Sequence, residues 1–252
     1  MKVEGKEPLV KMVNINKSFG AIQALKDMNF EIYPGEIVGL VGDNGAGKST
    51  LIRILSGMYA PTKGEVYFKG ERIYFFSPIK ARSLGIVAVH QGFGLVDSMS
   101  IARNIVMGTE PIKKIGFFRF LDLDEMRKIA EKTLQVIDIR TKIEPDTEVE
   151  TLSGGERQSV KIGRALFYKA KVILLDEPIT GLSIRENSKV IESTKKLRSE
   201  GIGCVFITHD VHQVYEIADR IVVLDKGVNI GNFTKEATTS DEIVALIRKG
   251  LT

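Results

Sequence analysis

The chain has 252 residues, enough to bury a sizeable core, and 36 Lys and Arg against 32 Asp and Glu give a net charge of only +4, too small to indicate a nucleic-acid surface. The longest stretch without formal charge, Leu84 to Val96, is too short and too polar to span a bilayer, and Met1 to Glu7 lacks the apolar core of a secretion signal. The one cysteine, Cys204, excludes an internal disulfide and predicts a reducing cytoplasm, and its apolar surroundings predict burial.

The first ninety residues are predicted to be mainly strands. Alternation of apolar and polar residues between Leu9 and Tyr33 predicts an antiparallel strand-turn-strand, with a turn at Lys17 to Gly20 that exposes Phe19. The other predicted elements are a strand at Ile37 to Val41, a helix at Ser49 to Leu55, two short strands within Gly64 to Ile73, a helix from Ser77-Pro78 to Gly85, and a buried strand at Ile86 to Val89.

From about residue 92 to residue 165 the pattern becomes mainly helical, after which strands and helices alternate. The predicted helices of this stretch are Ser100 to Met107, a second capped by Asp122 with Glu125, and a third after Gly155; strands follow at Val172 to Leu175, Val205 to Thr208 and Ile221 to Leu224, with helices at Glu186 to Glu200 and Val211 to Ala218. Alternating strands and helices predict an α/β fold with a mostly parallel sheet. The helical stretch is therefore expected to be an insertion between its strands.

A phosphate-binding loop follows the strand that ends at Val41. Its pattern is Gly42, four residues, then Gly47-Lys48-Ser49, with a strand before it and a helix after it. Glycines allow positive φ values that point N–H groups at an anion, while Lys48 reaches the β- and γ-phosphates and Ser49 offers a hydroxyl to Mg²⁺. The expected ATP-binding residues of the loop are Gly42, Asp43, Asn44, Gly45, Ala46, Gly47, Lys48, Ser49 and Thr50.

Two carboxylates, Asp176 and Glu177, end the apolar strand that begins at Val172. Ligands of a parallel sheet bind at the carboxyl ends of its strands, so we expect Asp176 to hold magnesium and Glu177 to orient the water that attacks the γ-phosphate. The alternative is a solvent-facing acidic pair. A phosphate loop with such a pair is shared by kinases, GTPases and motor ATPases.

The stretch Leu152-Ser153-Gly154-Gly155-Glu156-Arg157-Gln158 predicts a second anion site, in which Ser153 caps a helix and two glycines expose N–H groups. With this motif the chain resembles, over essentially its whole length, the nucleotide-binding subunit of ATP-binding-cassette (ABC) transporters. The resemblance implies one nucleotide-binding domain over residues 1–252, with a P-loop NTPase core, an antiparallel β subdomain and a helical subdomain inserted at roughly 92–165.

The resemblance also implies roles for residues outside these motifs. Phe19 would stack on adenine, Gln91 would contact magnesium and relay to the membrane subunit, and His209 would contact the γ-phosphate and act with Glu177 in hydrolysis. Two positions depart from the commonest family pattern. Glu156 stands where glutamine is usual, a variant expected to be silent, and Ser183 replaces a usual aspartate, which leaves the coupling between sites open.

A finer resemblance, to ATPases of ribose, xylose and fructose importers, rests on Ser77 to Arg82, Gly85-Ile86 and Ser240 to Glu242. It implies a cytoplasmic ATPase, peripheral on the inner face of the cell membrane, that uses ATP and Mg²⁺ to power transmembrane permease subunits and, indirectly, a sugar-binding protein. The resemblance implies a head-to-tail homodimer, in which Ser153, Gly154, Gly155 and Glu156 of one copy complete the ATP site of the other. No nucleic-acid partner is expected.

Two rival functions fit the sequence less well. A soluble ABC ATPase acting on ribosomes or DNA would more often have two cassettes, or coiled-coil or cysteine-rich insertions, whereas this insertion is short and lacks cysteine. A GTPase is excluded because Asn16 to Phe19 only mimics the guanine motif, lacks its aspartate and precedes the phosphate loop.

The stretch Lys113 to Phe120, K-K-I-G-F-F-R-F, places three phenylalanines among three cations within the helical insertion. One interpretation is the small core of that insertion. The other is a docking surface for a permease, because the adjacent Phe117 and Phe118 cannot easily face the same side.

Overall fold

A computed structural model describes residues 7–74, 77–90, 94–137 and 143–250. The strands are β1 (Val10–Phe19), β2 (Ile22–Ile32), β3 (Ile37–Val41), β4 (Lys63–Phe68), β5 (Glu71–Ile73), β6 (Ile86–Val89), β7 (Ile112–Ile115), β8 (Phe118–Leu121), β9 (Val172–Asp176), β10 (Gly203–Ile207), β11 (Arg220–Asp225) and β12 (Val228–Thr234). The helices are α1 (Lys48–Leu55), α2 (Pro78–Leu84), α3 (Ile101–Val106), α4 (Leu123–Val136), α5 (Gly154–Phe167), α6 (Ile184–Ser199), α7 (Val211–Ile217) and α8 (Ser240–Lys249).

The described residues fall into two compact units. The first takes those within Met1–Gln91, Ala170–Thr180 and Leu197–Thr252, and the second takes those within Gly92–Lys169 and Gly181–Lys196. Within the described ranges, no helix has the length and apolar character needed to cross a bilayer.

A six-stranded sheet forms the centre of the first unit, in the order β12-β11-β3-β10-β9-β6. All its pairs are parallel except β11 with β12, as the alternating sequence pattern predicts. The register sets Ile207 opposite both Leu40 and Asp176, so that β3, β9 and β10 reach the same edge together. This edge holds the phosphate loop after β3 and the two carboxylates at the end of β9. Cys204 is fully buried in β10.

The second sheet of this unit is antiparallel, in the order β2-β1-β4-β5. Its inward side chains, Met12, Leu25, Met28 and Val66 among them, share one core with Leu51 and Ile54 of α1. The predicted turn at Lys17 to Gly20 is wrong, because Phe19 pairs with Ile22 and β1 continues to it. The turn consists of Gly20, with φ of 58°, and Ala21.

The predicted caps of α2 and α4 are confirmed, whereas the helix predicted from Glu186 begins two residues earlier, at Ile184. Ser77 accepts a hydrogen bond from the N–H of Lys80, and Gly85 ends α2 with φ of 92°. Asp122 caps α4 by accepting from the N–H of Glu125. Strand β12 was not predicted, because its sequence, V-N-I-G-N-F-T, has no clear alternation of apolar and polar residues. Antiparallel pairing with β11 holds this segment in the extended conformation.

The second unit contains α3, α4, α5 and most of α6, with a buried apolar core that includes Ile101, Ile105, Met126 and Val160. Fully buried Asn104 fixes the segment before α3, because its side chain bonds to the backbone of Val96, Met99 and Ser100. The stretch Lys113 to Phe120 is not core: β7 and β8 form a two-stranded hairpin in which every strand residue is exposed. The insertion therefore holds a strand pair as well as helices.

Candidate functional site

The loop from Gly42 to Ser49 joins β3 to α1. Its three glycines have positive φ values of 148° at Gly42, 84° at Gly45 and 103° at Gly47, as predicted. A Cβ at Gly42 would stand 2.1 Å from the carbonyl oxygen of Leu224, so no side chain fits there. Gly47 begins α1 without any side-chain cap, which leaves the first amides of the helix, at the positive end of its dipole, available to an anion.

Lys48 is held against the loop that precedes it. Its Nζ donates to the carbonyl oxygens of Gly42 at 2.6 Å and Asp43 at 3.0 Å. Burial lowers the pKa of Lys48 below its usual value, and the negative charges of Glu177, Asp43 and Asp176 oppose that shift. The ammonium of Lys48 therefore lies close enough to Asp176 and Glu177 for their negative charges to stabilise it.

The loop and the end of β9 enclose a cleft of about 270 Å³. Its lining residues are Ala24, Asn44, Gly45, Ala46, Gly47, Lys48, Ser49, Thr50, Asp176, Glu177 and Ile207. The cleft thus brings together the ammonium of Lys48, the hydroxyl of Ser49 and two carboxylates. Positive and negative groups around one solvent-open cleft can hold a phosphate chain together with a cation.

Glu177 is fixed by four contacts around the end of β9. Its N–H donates to the carbonyl oxygen of Ile207 at 3.0 Å, and its Oε2 accepts from the hydroxyl of Thr180 at 2.7 Å. The Nδ1 of His209 lies 3.1 Å and 3.2 Å from the two carboxylate oxygens. Glu177 has a φ of 48°, a left-handed conformation that costs a non-glycine residue about 1–3 kcal/mol. The fold thus maintains a strained backbone that positions this carboxylate.

Asp176 has a histidine neighbour for which the sequence predicted no role. The Nδ1 of His90 lies 3.6 Å from Oδ2 of Asp176, because β6 and β9 are parallel neighbours in the sheet. Gln91, the predicted magnesium contact that follows His90, lies outside the described residues.

Phe19 lies at the end of β1 in an aromatic and cationic group. Its ring contacts Tyr59 edge to face, with centroids 5.3 Å apart, and the Nζ of Lys17 lies 5.0 Å from its centroid. The side chain is 42% exposed, as expected of a residue that would stack on a base. Tyr59 was not predicted, because only the fold of β1 beside the segment after α1 brings it to Phe19. Lys17 lies two residues before Phe19 in β1, where alternate side chains of a strand share a face.

In the second unit, the glycine motif begins α5. Ser153 caps the helix by accepting from the N–H of Glu156 at 3.4 Å, as predicted, and the Glu156 carboxylate accepts from both the N–H and the hydroxyl of Ser153 at 2.9 Å. A Cβ at Gly155 would stand 2.9 Å from Cβ of Glu186, and one at Gly154 would stand 2.6 Å from a methyl carbon of Leu182. Close packing against α6 therefore favours glycine at position 155, whereas the methyl group near Gly154 is the end of a flexible side chain.

Comparisons with known proteins agree with this geometry. A family profile described as "ABC transporter" matches residues 25–180. The chain belongs to the ABC transporter family. It is 44% identical to a xylose/arabinose import ATP-binding protein of Sulfolobus acidocaldarius, over 95% of this chain and 93% of that protein. It is 38% identical to a fructose import ATP-binding protein of Rhizobium meliloti, over 96% and 94% of the two chains.

Solved ABC cassettes have the same fold. A cassette in its ADP conformation superposes with a TM-score of 0.79 at 26% identity, covering 96% of this chain and 95% of that one. A dimeric ABC cassette bound to ADP and Pi superposes with a TM-score of 0.74 at 28% identity, covering 90% and 98%. The predictions of the ABC family, of its ATPase fold and of an ATPase activity are confirmed.

The roles of individual residues in this ABC ATPase remain predictions. The fold brings the loop residues, Asp176 and Glu177 to one cleft, and His209 to the Glu177 carboxylate. Sequence reasoning missed Thr180 and Glu186. Glu186 had a readable signal, since Ser183 and Glu186 have the S-x-x-E spacing of a capping box, and the structure contains both of its bonds.

Proposed function

We propose that this chain is the ATP-hydrolysing subunit of a sugar importer. The observation that carries the ATPase part is the convergence of Lys48, Ser49, Asp176 and Glu177 on one cleft after β3 and β9. Support for the sugar comes from relatives whose names specify import of xylose or arabinose and of fructose.

In this proposal the loop amides and Lys48 bind the phosphates of ATP. The first amides of α1 face the cleft without a side-chain cap, and Lys48 exchanges its bonds to the loop carbonyls for phosphate oxygens. Phe19 stacks on adenine at the end of β1, and the cation of Lys17 beside it favours the electron-rich ring system.

The donor set of the cleft fits magnesium. Ser49 and Asp176 both line it, and a hydroxyl with a carboxylate are the hard oxygen ligands that this ion prefers. Ser49 and Asp176 would hold it, with Gln91 as the further ligand expected from the sequence. When bound, the ion neutralises charge on the β- and γ-phosphates.

Glu177 orients and polarises the attacking water in this proposal. Its backbone bond to Ile207 and the hydroxyl of Thr180 fix the carboxylate, so a water bonded to the free face of that carboxylate is held in one direction. His209 lies within hydrogen-bond distance of the same carboxylate. We expect the ring of His209 to contact the γ-phosphate as well. His209 would therefore link the orientation of the Glu177 carboxylate to the position of that phosphate.

We further propose that two copies act as a head-to-tail dimer, in which the Ser153 to Glu156 motif of one copy serves as a second anion site for the ATP of the other. The hydroxyl of Ser153 and the N–H of Gly155, which bond to Glu156 and Glu186 within the chain, would exchange those bonds for phosphate oxygens of the ATP held by the other copy. A related cassette has been solved as a dimer with ADP and Pi. Transmembrane permease subunits and a sugar-binding protein complete the proposed importer, which places the chain on the inner face of the cell membrane.

Reconstitution tests this function. The chain would be combined in proteoliposomes with the permease and the sugar-binding protein encoded beside its gene, and ATP hydrolysis and uptake of labelled xylose, ribose and fructose would be measured. We expect hydrolysis that the loaded sugar-binding protein stimulates, and uptake that requires ATP. Hydrolysis without uptake of any sugar would retain the ATPase and reject the importer. ATPase activity stimulated by ribosomes or DNA would favour the rival function.

A further inference from the structure

The hairpin of β7 and β8 exposes an unusual amount of apolar surface. Phe117 at its tip is fully exposed, and Phe118 and Phe120 are 71% and 52% exposed. A two-stranded hairpin is at best marginally stable in water, and contiguous exposed apolar side chains mark an interaction surface. The hairpin therefore has the character of a contact element.

Apolar side chains lie on both faces of this hairpin. Directly opposed residues share a face, so Ile115 with Phe118 and Lys113 with Phe120 lie on one face, and Ile112 with Leu121 on the other. The rings of Phe118 and Phe120, with centroids 6.2 Å apart, form a continuous aromatic surface. A protein groove would cover only one face of the hairpin, whereas a lipid phase can surround both faces and the tip. Apolar side chains on both faces therefore favour lipid.

The charges of the hairpin identify the chemistry of its partner. Residues 111–121 contain Lys113, Lys114 and Arg119 and no acidic residue. Lys114 and Arg119 are directly opposed across the strands, an arrangement of like charges that is destabilising by itself. In the described part of the chain, no ion pair involves any of these three cations. An anionic surface would remove this repulsion.

We infer that the β7–β8 hairpin inserts its tip into an anionic lipid surface. Phe117 and the Phe118–Phe120 surface enter the region between headgroups and acyl chains, and the three cations contact lipid phosphates. The hairpin is short enough for its unpaired backbone groups to stay at headgroup level. This inference deepens the proposed function, since a subunit of a membrane transporter works beside lipid, but its test requires neither the permease nor sugar.

Tryptophan fluorescence tests the inference sharply, because the chain contains no tryptophan. Phe117→Trp places the only indole at the tip of the hairpin, and Ile79→Trp places it at an exposed position of α2 as a control. With vesicles of phosphatidylcholine and phosphatidylglycerol, the emission of the first variant should shift to shorter wavelength and be quenched by lipids brominated on their acyl chains. An unchanged spectrum, or an equal change in the control, overturns the inference.

Vesicle sedimentation of the full chain tests the cations. Removing two lysines near an anionic surface should weaken binding about thirtyfold, so Lys113→Gln with Lys114→Gln should lose most binding to these vesicles. Lys128→Gln with Lys132→Gln, at exposed positions of α4 in the same unit, should bind like the unmodified chain. If both double variants lose vesicle binding equally, the cations of the hairpin have no specific role and the inference is overturned.

A protein partner is a distinct outcome. If the unmodified chain ignores anionic vesicles while Phe117→Ser abolishes its copurification with the permease, the hairpin is a protein contact and the lipid inference is wrong. ATP binding measured on the same variants should be unchanged, because the hairpin lies outside the phosphate cleft. A chain that binds vesicles but not ATP would reject the proposed function and leave the lipid inference standing.

Discussion

The backbone N–H of Gly155 donates to Oε1 of Glu186 at 3.2 Å. The other oxygen of this carboxylate accepts from the N–H of Ser183 at 2.9 Å and from its hydroxyl at 2.7 Å. One side chain thus joins the first turn of α6 to the glycine motif that begins α5. Ser183, which stands where the family usually has aspartate, is held through Glu186.

This contact predicts a specific dependence of stability on acid. The N–H and hydroxyl of Ser183 and the N–H of Gly155 lower the pKa of Glu186 to about 2 from its ordinary 4.5. A depressed folded-state pKa contributes stability that is fully present above pH 4.5 and is lost as the pH falls toward about 2. We expect Glu186→Gln to lose less thermal stability than the unmodified chain between pH 6 and pH 3.

The matched control is Glu192→Gln, an exposed acid on the same helix, which should follow the unmodified chain. Melting temperatures measured across this pH range check the prediction. If the gap between Glu186→Gln and the unmodified chain is the same at every pH, the charge of Glu186 is not linked to folding and the predicted acid dependence is wrong.

We predict that Lys48→Ala binds ATP much more weakly than the unmodified chain without unfolding. Hydrogen bonds from a charged group contribute about 1.5–3 kcal/mol, so the affinity for ATP should fall by about tenfold to a hundredfold. Calorimetric titration with Mg-ATP checks this, with Lys69→Ala, at an exposed turn between β4 and β5, as control. Near-unmodified affinity would reject the phosphate-loop assignment.

For Glu177→Gln we expect ATP binding with slow turnover and accumulation of a dimer. The amide keeps the size and the bond from Thr180 but removes the charge that polarises water, an effect of about 2–4 kcal/mol on the barrier. Single-turnover hydrolysis and light scattering with Mg-ATP provide the measurements. A strictly monomeric variant that hydrolyses at the normal rate would reject both proposed roles.

The buried pair of Glu36 and Arg220 should dominate the electrostatic stability of the first unit. The guanidinium donates to Glu36 at 2.7 Å and 3.1 Å and to the carbonyl oxygen of Glu31 at 2.8 Å. Removing one member of a buried pair costs about 3–5 kcal/mol, so we expect Glu36→Ala to lower the free energy of unfolding by that amount.

The control for this pair is Arg198→Gln, which breaks the more exposed bond to Asp219 at 2.9 Å and should cost under about 1 kcal/mol. Urea unfolding of both variants checks the contrast. Equal, small losses would mean that water screens the Glu36–Arg220 pair as well.

Local residue spacing is enough to predict the family, the mostly parallel sheet and the phosphate loop. Glycines between a strand and a helix, an apolar strand ending in Asp176-Glu177, and a serine before two glycines are each readable within a few residues. Helix ends followed from caps such as Asp122, for the same reason. The Ser183–Glu186 box was equally local, and its spacing could have been read.

Contacts between residues far apart in the chain could not be predicted without the folded structure. The parallel pairing of β6 with β9 brings His90 to Asp176, and the fold brings Tyr59 to Phe19, contacts that depend on sheet order. Pairing with β11 makes a strand of the weakly patterned β12. For Lys113 to Phe120 the sequence left burial open, because hydrophobicity predicts that side chains avoid water without specifying what covers them. The exposed hairpin shows that nothing within the described chain covers them fully.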